Sequence, residues 1–221
     1  MSVHPLGEAK DVYHGDKGSM NSFIFTRNEV SVVVVNYNAG PLLLDCVHKA
    51  LGQAQEVVVV DNASSDGSME ALAERYPSES RLKTIYSNRN RGFAAGCNLG
   101  VSSTTGSYIF FLNPDCVLQP GALQRMVEVL ESDPTVGMVG GLLIDPDGAE
   151  QGGGRRAVPT PWRTFVRATG LYRFADRWPR LFFDFHLHKQ PLPDGPVEVE
   201  AISGALMLVR RAAMEDVGLW D

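Results

Sequence analysis

Largely apolar runs alternate along the chain with amphipathic stretches. Val30 to Tyr37, Glu56 to Val60, Leu82 to Tyr86, Tyr108 to Leu112 and Val136 to Ile144 are short and rich in β-branched or aromatic residues, with Asn, Gly, Pro, Asp or Ser nearby. Such runs predict strands. Val32 to Val35 and Ile109 to Leu112 contain no polar position, as expected of parallel strands covered on both faces. Between the strands, apolar residues recur at helical spacing. Leu43, Val47, Ala50 and Ala54 follow Pro41, and Met69, Leu72, Ala73 and Tyr76 follow a cap at Ser65 or Asp66. A small-residue stretch spans Phe93 to Val101, and Leu123, Met126, Val127 and Leu130 follow Pro120 and Gly121. All four are predicted helices. Strands and helices in strict alternation imply an α/β fold with a mostly parallel, doubly wound sheet, right-handed crossovers and helices on both faces.

Beyond the turn signal Asp147-Gly148 the regularity fades. Gly152 to Arg156 reads as a loop, Pro161 to Ala175 as a helix rich in arginine and aromatics, and Tyr172 to Leu192 as an irregular aromatic excursion. Strand character returns from Val197 to Val209, interrupted by Ser203-Gly204-Ala205, and a short helix follows over Arg210 to Val217. Residues 1–28 carry no sustained period and read as a flexible leader, which leaves residues 29–221 as one α/β domain. A chain of 221 residues that is 44% hydrophobic supports one such core.

A net charge of −6 argues against a general nucleic-acid binder, whose affinity rests on many basic contacts to phosphate. The charge is uneven. Arg155, Arg156, Arg163, Arg167, Arg173, Arg177, Arg180 and Lys189 face only Asp176 and Asp184 in their segment, so 155–189 is a basic, aromatic region in an acidic chain. It reads either as ordinary solvated surface or as a contact for an anionic acceptor or membrane face. Three cysteines, Cys46, Cys97 and Cys116, lack the spacing of a metal knuckle or a disulfide framework and suit a reducing cytosol. No apolar run approaches the roughly 18 to 20 residues that span a bilayer, and the start lacks a secretory layout. A cytoplasmic protein, at most peripheral at the inner membrane face, is expected.

Candidate chemistry gathers where strands end. Asn36 and Asn38 close the first strand, Asp61 and Asn62 the second, Asn90 to Asn98 with Gly92 follow the third, and Asn113 and Asp115 follow the central one. In open α/β sheets ligands collect beyond these carboxyl ends. Each residue alone also suits a turn or a helix cap. As an ordered series they can hold a pyrimidine nucleotide. A carboxylate such as Asp61 accepts the N3–H of the base, an asparagine pairs with its carbonyls, and the diphosphate is directed at a hard cation on Asp115. A dinucleotide fold is excluded, because Asn36 to Gly40 holds no Gly-x-Gly-x-x-Gly, and no P-loop Gly-Lys-Ser/Thr follows a strand. His186 and His188 lack a third ligand and read as surface. Cys97 and Cys116 flank the proposed site without a paired base, so nucleophilic catalysis is not indicated.

The ordered set Val32 to Asn38, Val59 to Ser68, Asn90 to Asn98, Phe111 to Asp115 and Ser203 to Arg211 leading to Gly218-Leu219-Trp220-Asp221 resembles family 2 glycosyltransferases of the GT-A fold. The likeness is strongest to their rhamnosyltransferase-like branch and covers Val30 to Asp221. It implies an inverting glycosyltransferase that uses a nucleotide-diphosphate sugar, dTDP-rhamnose or a UDP-sugar, with Mg2+ or Mn2+. The acceptor implied is a glycan or a polyprenyl-diphosphate-linked glycan. By the same resemblance Asn36 and Asp61 contact base and ribose, Asn90 to Asn98 line the nucleotide pocket, and Ser203 and Gly204 lie on the acceptor side. Asn113-Pro114-Asp115 stands where many members carry Asp-x-Asp, with Asp115 the metal ligand and one carboxylate replaced by an amide. The family's general base lies in an acidic segment after a Gly-aromatic-Asp like Gly218 to Asp221, which implies a base beyond Asp221 and a domain truncated at its C-terminus. A non-catalytic nucleotide-sugar binding module or inactive fragment is the alternative. A nucleotidyltransferase is disfavoured, since no Gly-rich basic loop follows the first strand.

Overall fold

The structure is a computed structural model that describes residues 29–145, 147–151, 155–156, 158, 160–175, 177–178, 181–182 and 192–221. The expected leader, much of the glycine loop at 152–154 and the pair His186 and His188 lie outside the described residues. The elements are β1 (Val30–Asn36), α1 (Leu42–Gln53), β2 (Glu56–Asp61), α2 (Ser68–Arg75), β3 (Leu82–Tyr86), α3 (Phe93–Val101), β4 (Tyr108–Leu112), α4 (Ala122–Ser132), β5 (Met138–Gly140), β6 (Arg155–Arg156), α5 (Pro161–Ala168), a 3-10 turn (Leu171–Phe174), β7 (Ala201–Ile202), β8 (Leu206–Arg210) and α6 (Arg211–Val217). The main sheet runs β3-β2-β1-β4-β8-β5, and β6 pairs with β7 apart from it.

The first four strands of that sheet are parallel, whereas β8 runs antiparallel to both its neighbours, β4 and β5. Period-two alternation divides the strand residues between two cores. Val30, Val32 and Val34 of β1 with Tyr108, Phe110 and Leu112 of β4 face one core, against α1, α2 and α4. Val33 and Val35 with Ile109 and Phe111 face the other, with Cys97 of α3 and Met214 of α6. Both faces are covered, which explains why β1 and β4 have no polar alternation. Each fully buried phenylalanine, Phe110 and Phe111, contributes on the order of 2 to 3 kcal/mol by leaving water. Helix α3 lies close on the sheet because it presents glycine. A Cβ on Gly100 would stand 2.4 Å from Val33 Cγ1, and one on Gly96 2.7 Å from Val35 Cγ1.

Two expected strands are shorter than their apolar runs. Val136 to Ile144 contributes only Met138–Gly140, because β5 has β8 as its sole sheet partner and β8 begins at Leu206. The run Val197 to Val209 divides into β7 and β8 around Ser203 to Ala205, because β7 pairs with β6 whereas β8 pairs with β4, whose ladder extends to the Asn113 N–H donating to the Ala205 carbonyl (2.9 Å). Likewise the helix read over Pro161 to Ala175 ends at Ala168, and a 3-10 turn follows Gly170 in the left-handed region, φ 75°. Asp147-Gly148 turns as expected, with the Gly148 N–H donating to the Asp145 carbonyl (2.8 Å).

The amino-terminal edge of the sheet is held by a buried carboxylate. Glu56 accepts from Ser31 Oγ (2.7 Å), Thr105 N (2.6 Å), Thr105 Oγ1 (2.9 Å) and Lys83 Nζ (2.6 Å), and so joins β1, β2, β3 and the turn before β4. Burial alone raises its pKa, but the Lys83 ammonium and the Ser31 and Thr105 donors outweigh that and lower it from 4.5 to about 2. A carboxylate depressed in the folded state stabilises fully above its unfolded pKa and loses that contribution as pH falls toward the folded one. Glu56→Gln is therefore expected to lower stability at pH 7 by about 2 to 3 kcal/mol. In urea melts the gap from the parent protein should narrow steadily between the ordinary carboxyl pKa of 4.5 and about 2.

Candidate active site at the carboxyl rim of the sheet

Strand register decides which polar residues meet. Asn36 is level with Asp61, Asp61 with Tyr86, and Val34 with Leu112, so β1, β2, β3 and β4 all end on one edge. Antiparallel β8 begins where β4 ends, Leu206 opposite Leu112, which brings Ser203 and Gly204 to the same edge. A Cβ on Gly204 would lie 3.5 Å from the ring of Phe93 at the start of α3. Asn36, Asn38, Asp61, Asn62, Asn90, Gly92, Asn113, Asp115, Ser203 and Gly204 thus occupy one rim.

Several of these side chains are engaged in building that rim. Asn36 has no exposure. Its amide nitrogen lies 2.9 Å from Ser68 Oγ, 3.0 Å from Ser64 Oγ and 3.3 Å from Asp61 Oδ1, and its carbonyl accepts from Ala39 N (3.4 Å). Asp61, 5% exposed, also accepts from Ser64 N at 3.2 and 3.3 Å. The turn that allows this puts Ala63 at φ 66°, a left-handed conformation costing roughly 1 to 2 kcal/mol for a residue with a Cβ. Asn62 donates to Gly92 O (3.0 Å) and accepts from Arg91 N (3.2 Å), while Asn90 accepts from Gly92 N (2.8 Å), so two amides shape the loop into α3. Gly92 sits at φ 84° there, with open space around it, so its conformation rather than crowding requires glycine.

Residues that the sequence did not mark as site-forming close the rim. Asp66, read as a helix cap, accepts from Ser68 N (3.1 Å) and Oγ (2.6 Å) and from Gly40 N (2.7 Å), which locks the β2–α2 loop to the β1–α1 loop. The Ser68 hydroxyl leads the contacts that hold its carboxyl below the ordinary range. Asn38, at φ 53°, accepts from Ser65 N (2.8 Å), and its own N–H donates to Ser64 Oγ (3.0 Å). Ser64 therefore serves both loops. Its signal in the sequence is only its place in Asn-Ala-Ser-Ser-Asp-Gly-Ser.

Asn98 lies deeper along α3 and turns to the end of the chain. Its amide donates to Trp220 O (2.7 Å) and its carbonyl accepts from Trp220 N (3.0 Å). The Trp220 ring meets Phe111 edge-on, centroids 5.5 Å apart. The expected pocket-lining amide thus clamps Gly218 to Asp221 against the sheet.

The β4 end offers the rim's accessible polar groups. Asn113 spends its backbone, taking Cys116 N (3.1 Å) and Cys46 Sγ (3.5 Å) at its carbonyl, whereas Asp115 is exposed and its carboxylate accepts from Cys116 Sγ at 3.8 Å. Among the described residues no group of three or more His, Cys, Asp or Glu side chains is placed to hold a metal ion by itself. One open carboxylate fits a hard cation that takes its remaining oxygens from a diphosphate and water, and does not fit an all-protein cage. Burial, then Cys116 and Asp115, push the Cys46 thiol far above its ordinary range. Burial takes Cys97 to about 12, and burial with Asp115 takes Cys116 to about 11, so none supplies a thiolate near neutral pH. A cavity of about 800 Å3 between α4, β5 and residues 192–199, lined by Met126, Val139, Pro196 and Ile202, contains none of the rim residues.

The sheet order and the polar rim define a GT-A type α/β domain. The solved mannosyltransferase PcManGT from Pyrobaculum calidifontis has the same fold, with a TM-score of 0.57 and 23% identity over 89% of this chain and 48% of that one. The chain belongs to glycosyl transferase family 2, whose model matches residues 31–218. It is 28% identical, over 86% of its length, to an N-acetylglucosaminyl-diphospho-decaprenol L-rhamnosyltransferase of Mycobacterium tuberculosis, and spans 64% of that relative. TuaG, a putative teichuronic acid biosynthesis glycosyltransferase of Bacillus subtilis, is 29% identical over 54% of this chain and 49% of its own.

Asn98→Ala removes both clamp bonds and is expected to cost about 1 to 3 kcal/mol. In a background with Trp162 and Trp178 replaced by Phe, it should also raise acrylamide quenching of Trp220. Unchanged quenching would show that the clamp does not hold the terminal segment.

Proposed function

We propose that this chain is the donor-binding domain of an inverting glycosyltransferase that transfers a sugar, L-rhamnose, from a dTDP- or UDP-linked donor to a polyprenyl-diphosphate-linked glycan. One observation carries this reading: Asp61 and Asp115 stand at the ends of β2 and β4, on either side of β1, along a single rim. A nucleotide diphosphate needs an acceptor for its base and a charged partner for its phosphates, some distance apart, and that rim offers both. The whole protein's acceptor and sugar are taken from the relative named as an L-rhamnosyltransferase acting on a diphospho-decaprenol glycan.

In this reading Asp61, pre-positioned by Asn36 and Ser64, accepts the N3–H of the pyrimidine. The Asn90 to Asn98 segment walls the nucleotide, with exposed Arg89 and Arg91 adding positive charge beside the phosphates. Asp115, with Asn113 beside it, would hold Mg2+ or Mn2+; when bound, the ion neutralises the leaving diphosphate. PcManGT was solved with GDP-Man and Mn2+, which supports a divalent ion here. The acceptor hydroxyl approaches past Ser203, Gly204 and Phe93 and attacks the anomeric carbon on the face opposite the diphosphate. In the family pattern the proton's base lies in an acidic segment after a Gly-aromatic-Asp like Gly218 to Asp221, and here the Asn98 clamp holds Trp220 within that motif. Among the described residues no helix is long and apolar enough to cross a membrane. In this reading the lipid-linked acceptor is met by peripheral contact at the cytoplasmic face, through the basic segment 155–189.

A thermal-shift panel of dTDP, UDP and GDP, with and without Mn2+, tests donor binding. Ligand at about 100 times its Kd stabilises by about 2.7 kcal/mol. The expected outcome is a shift for one pyrimidine diphosphate that grows with Mn2+. Asp115→Asn should abolish the metal increment alone, and Asp61→Ala the shift itself. A GDP-only response would overturn the pyrimidine assignment, and no response to any nucleotide would overturn the donor reading.

A further inference from the structure

Helix α5 and the turn after it form an amphipathic surface whose apolar side is largely uncovered. Of α5 only Val166 is buried. Trp162, Phe165, Phe174, Trp178 and Leu181 remain between 48% and 56% exposed. They form one connected patch. Trp162 stacks on Phe165 with centroids 5.6 Å apart and donates its indole N–H to Leu181 O at 2.7 Å. Phe174, Trp178 and Phe182 make a second aromatic group, with centroid separations of 6.0 to 6.5 Å. Arginines flank the aromatics: Arg163 and Arg167 on α5, Arg173 in the 3-10 turn, and Arg177, whose guanidinium lies 5.8 Å from the Trp178 ring centre.

Five half-exposed large apolar side chains in one patch exceed the scattered singles of an ordinary soluble surface. Indole and phenyl rings bordered by arginine suit the boundary of acyl chains and headgroups, where the ring is apolar on one side and the guanidinium meets phosphate. The patch is also fixed relative to the rim. Glu200 accepts from Arg163 Nη1 (2.8 Å) and Val158 N (2.7 Å), and β7 starts at the next residue and leads directly into Ser203 and Gly204. A surface resting on this patch therefore lies beside the edge where an acceptor would enter.

We propose that this aromatic and arginine patch docks the protein on an anionic phospholipid bilayer, with Trp162, Phe165 and Trp178 seated at the headgroup level and Arg173 and Arg177 against lipid phosphates. The proposal names the surface and partner behind the lipid-linked acceptor and rests on that reading for its biological sense. Local charge complementarity selects the anionic bilayer, because in a two-fold pairing of this chain through the same patch its arginines would face each other. The mode is interfacial and reversible, since one short helix and a few rings give far less than a membrane span.

Cosedimentation with phosphatidylcholine vesicles, with and without about one third phosphatidylglycerol, is the direct test. Binding is expected only to the anionic vesicles, weakening as salt rises. The variant W162A/F165A/W178A should weaken it by about tenfold or more, and R173E/R177E by a similar factor. Both variants should keep the parent's nucleotide thermal shift, because the exposed patch is separate from the rim. Absence of parent binding to anionic vesicles, or binding unchanged in both variants, overturns the proposal. Concentration-dependent dimers lost in the same variants would overturn it in favour of self-association. Vesicle binding without any nucleotide response would uphold the surface and remove the donor reading.

Discussion

A primary amide with no access to water must find its partners inside the protein, and at Asn36 that requirement shapes the whole rim. Buried polar groups left unpaired cost on the order of 1 to 3 kcal/mol each, so the β2–α2 loop has to bring Ser64, Ser68 and Asp61 to it. Reaching that arrangement forces Ala63 into a left-handed conformation. Strain of this kind survives only where surrounding contacts over-determine the chain, and here Asp66, Asn38 and Ser64 do so by binding the two loops together. The carboxylate of Asp61 is consequently held in place by the protein's own contacts, which in the proposed donor binding would lower the ordering cost.

The two ends of the sheet divide the work. At the amino edge Glu56 gathers Ser31, Lys83 and Thr105 into a fully satisfied network that offers nothing to a ligand. At the carboxyl edge asparagines replace most charges, and they bind backbone: Asn62 holds Arg91 and Gly92, and Asn98 holds Trp220. An amide can donate and accept at once without the desolvation cost of a buried ion. It is therefore well suited to fixing loops without adding charge, leaving Asp115 as an exposed carboxylate on the β4 end. Membership in glycosyl transferase family 2 accords with this division, because a transferase gains from holding its reactants on a rigid edge.

Position in the chain and position in space part company after β5. Antiparallel β8 carries Ser203 and Gly204 back to the rim, and Glu200 ties α5 close behind. The half-covered aromatic patch and the polar rim are thus linked through Glu200 and β7, although about 35 residues of sequence separate the end of α5 from Ser203. The cavity beside β5 takes no part in this arrangement and adjoins a short edge strand.

Local pattern alone determined much. Runs without polar alternation identified β1 and β4 as central strands, since only burial on both faces permits such composition, and β-to-helix alternation specified a parallel sheet. The ordered amides and acids at strand ends were legible for the same reason: a strand's last residue is where a doubly wound sheet meets solvent. Tertiary structure decided the rest. The split of Val197 to Val209, the shortening of β5 and the reversal of β8 depend on which strands pair, β7 with β6 and β8 with β4 and β5. The burial of Asn36 and the clamp of Asn98 on Trp220, across 122 residues, depend on contacts that no local spacing encodes. Residue type states what a side chain can bond to. Only the packed chain states which partner is within reach.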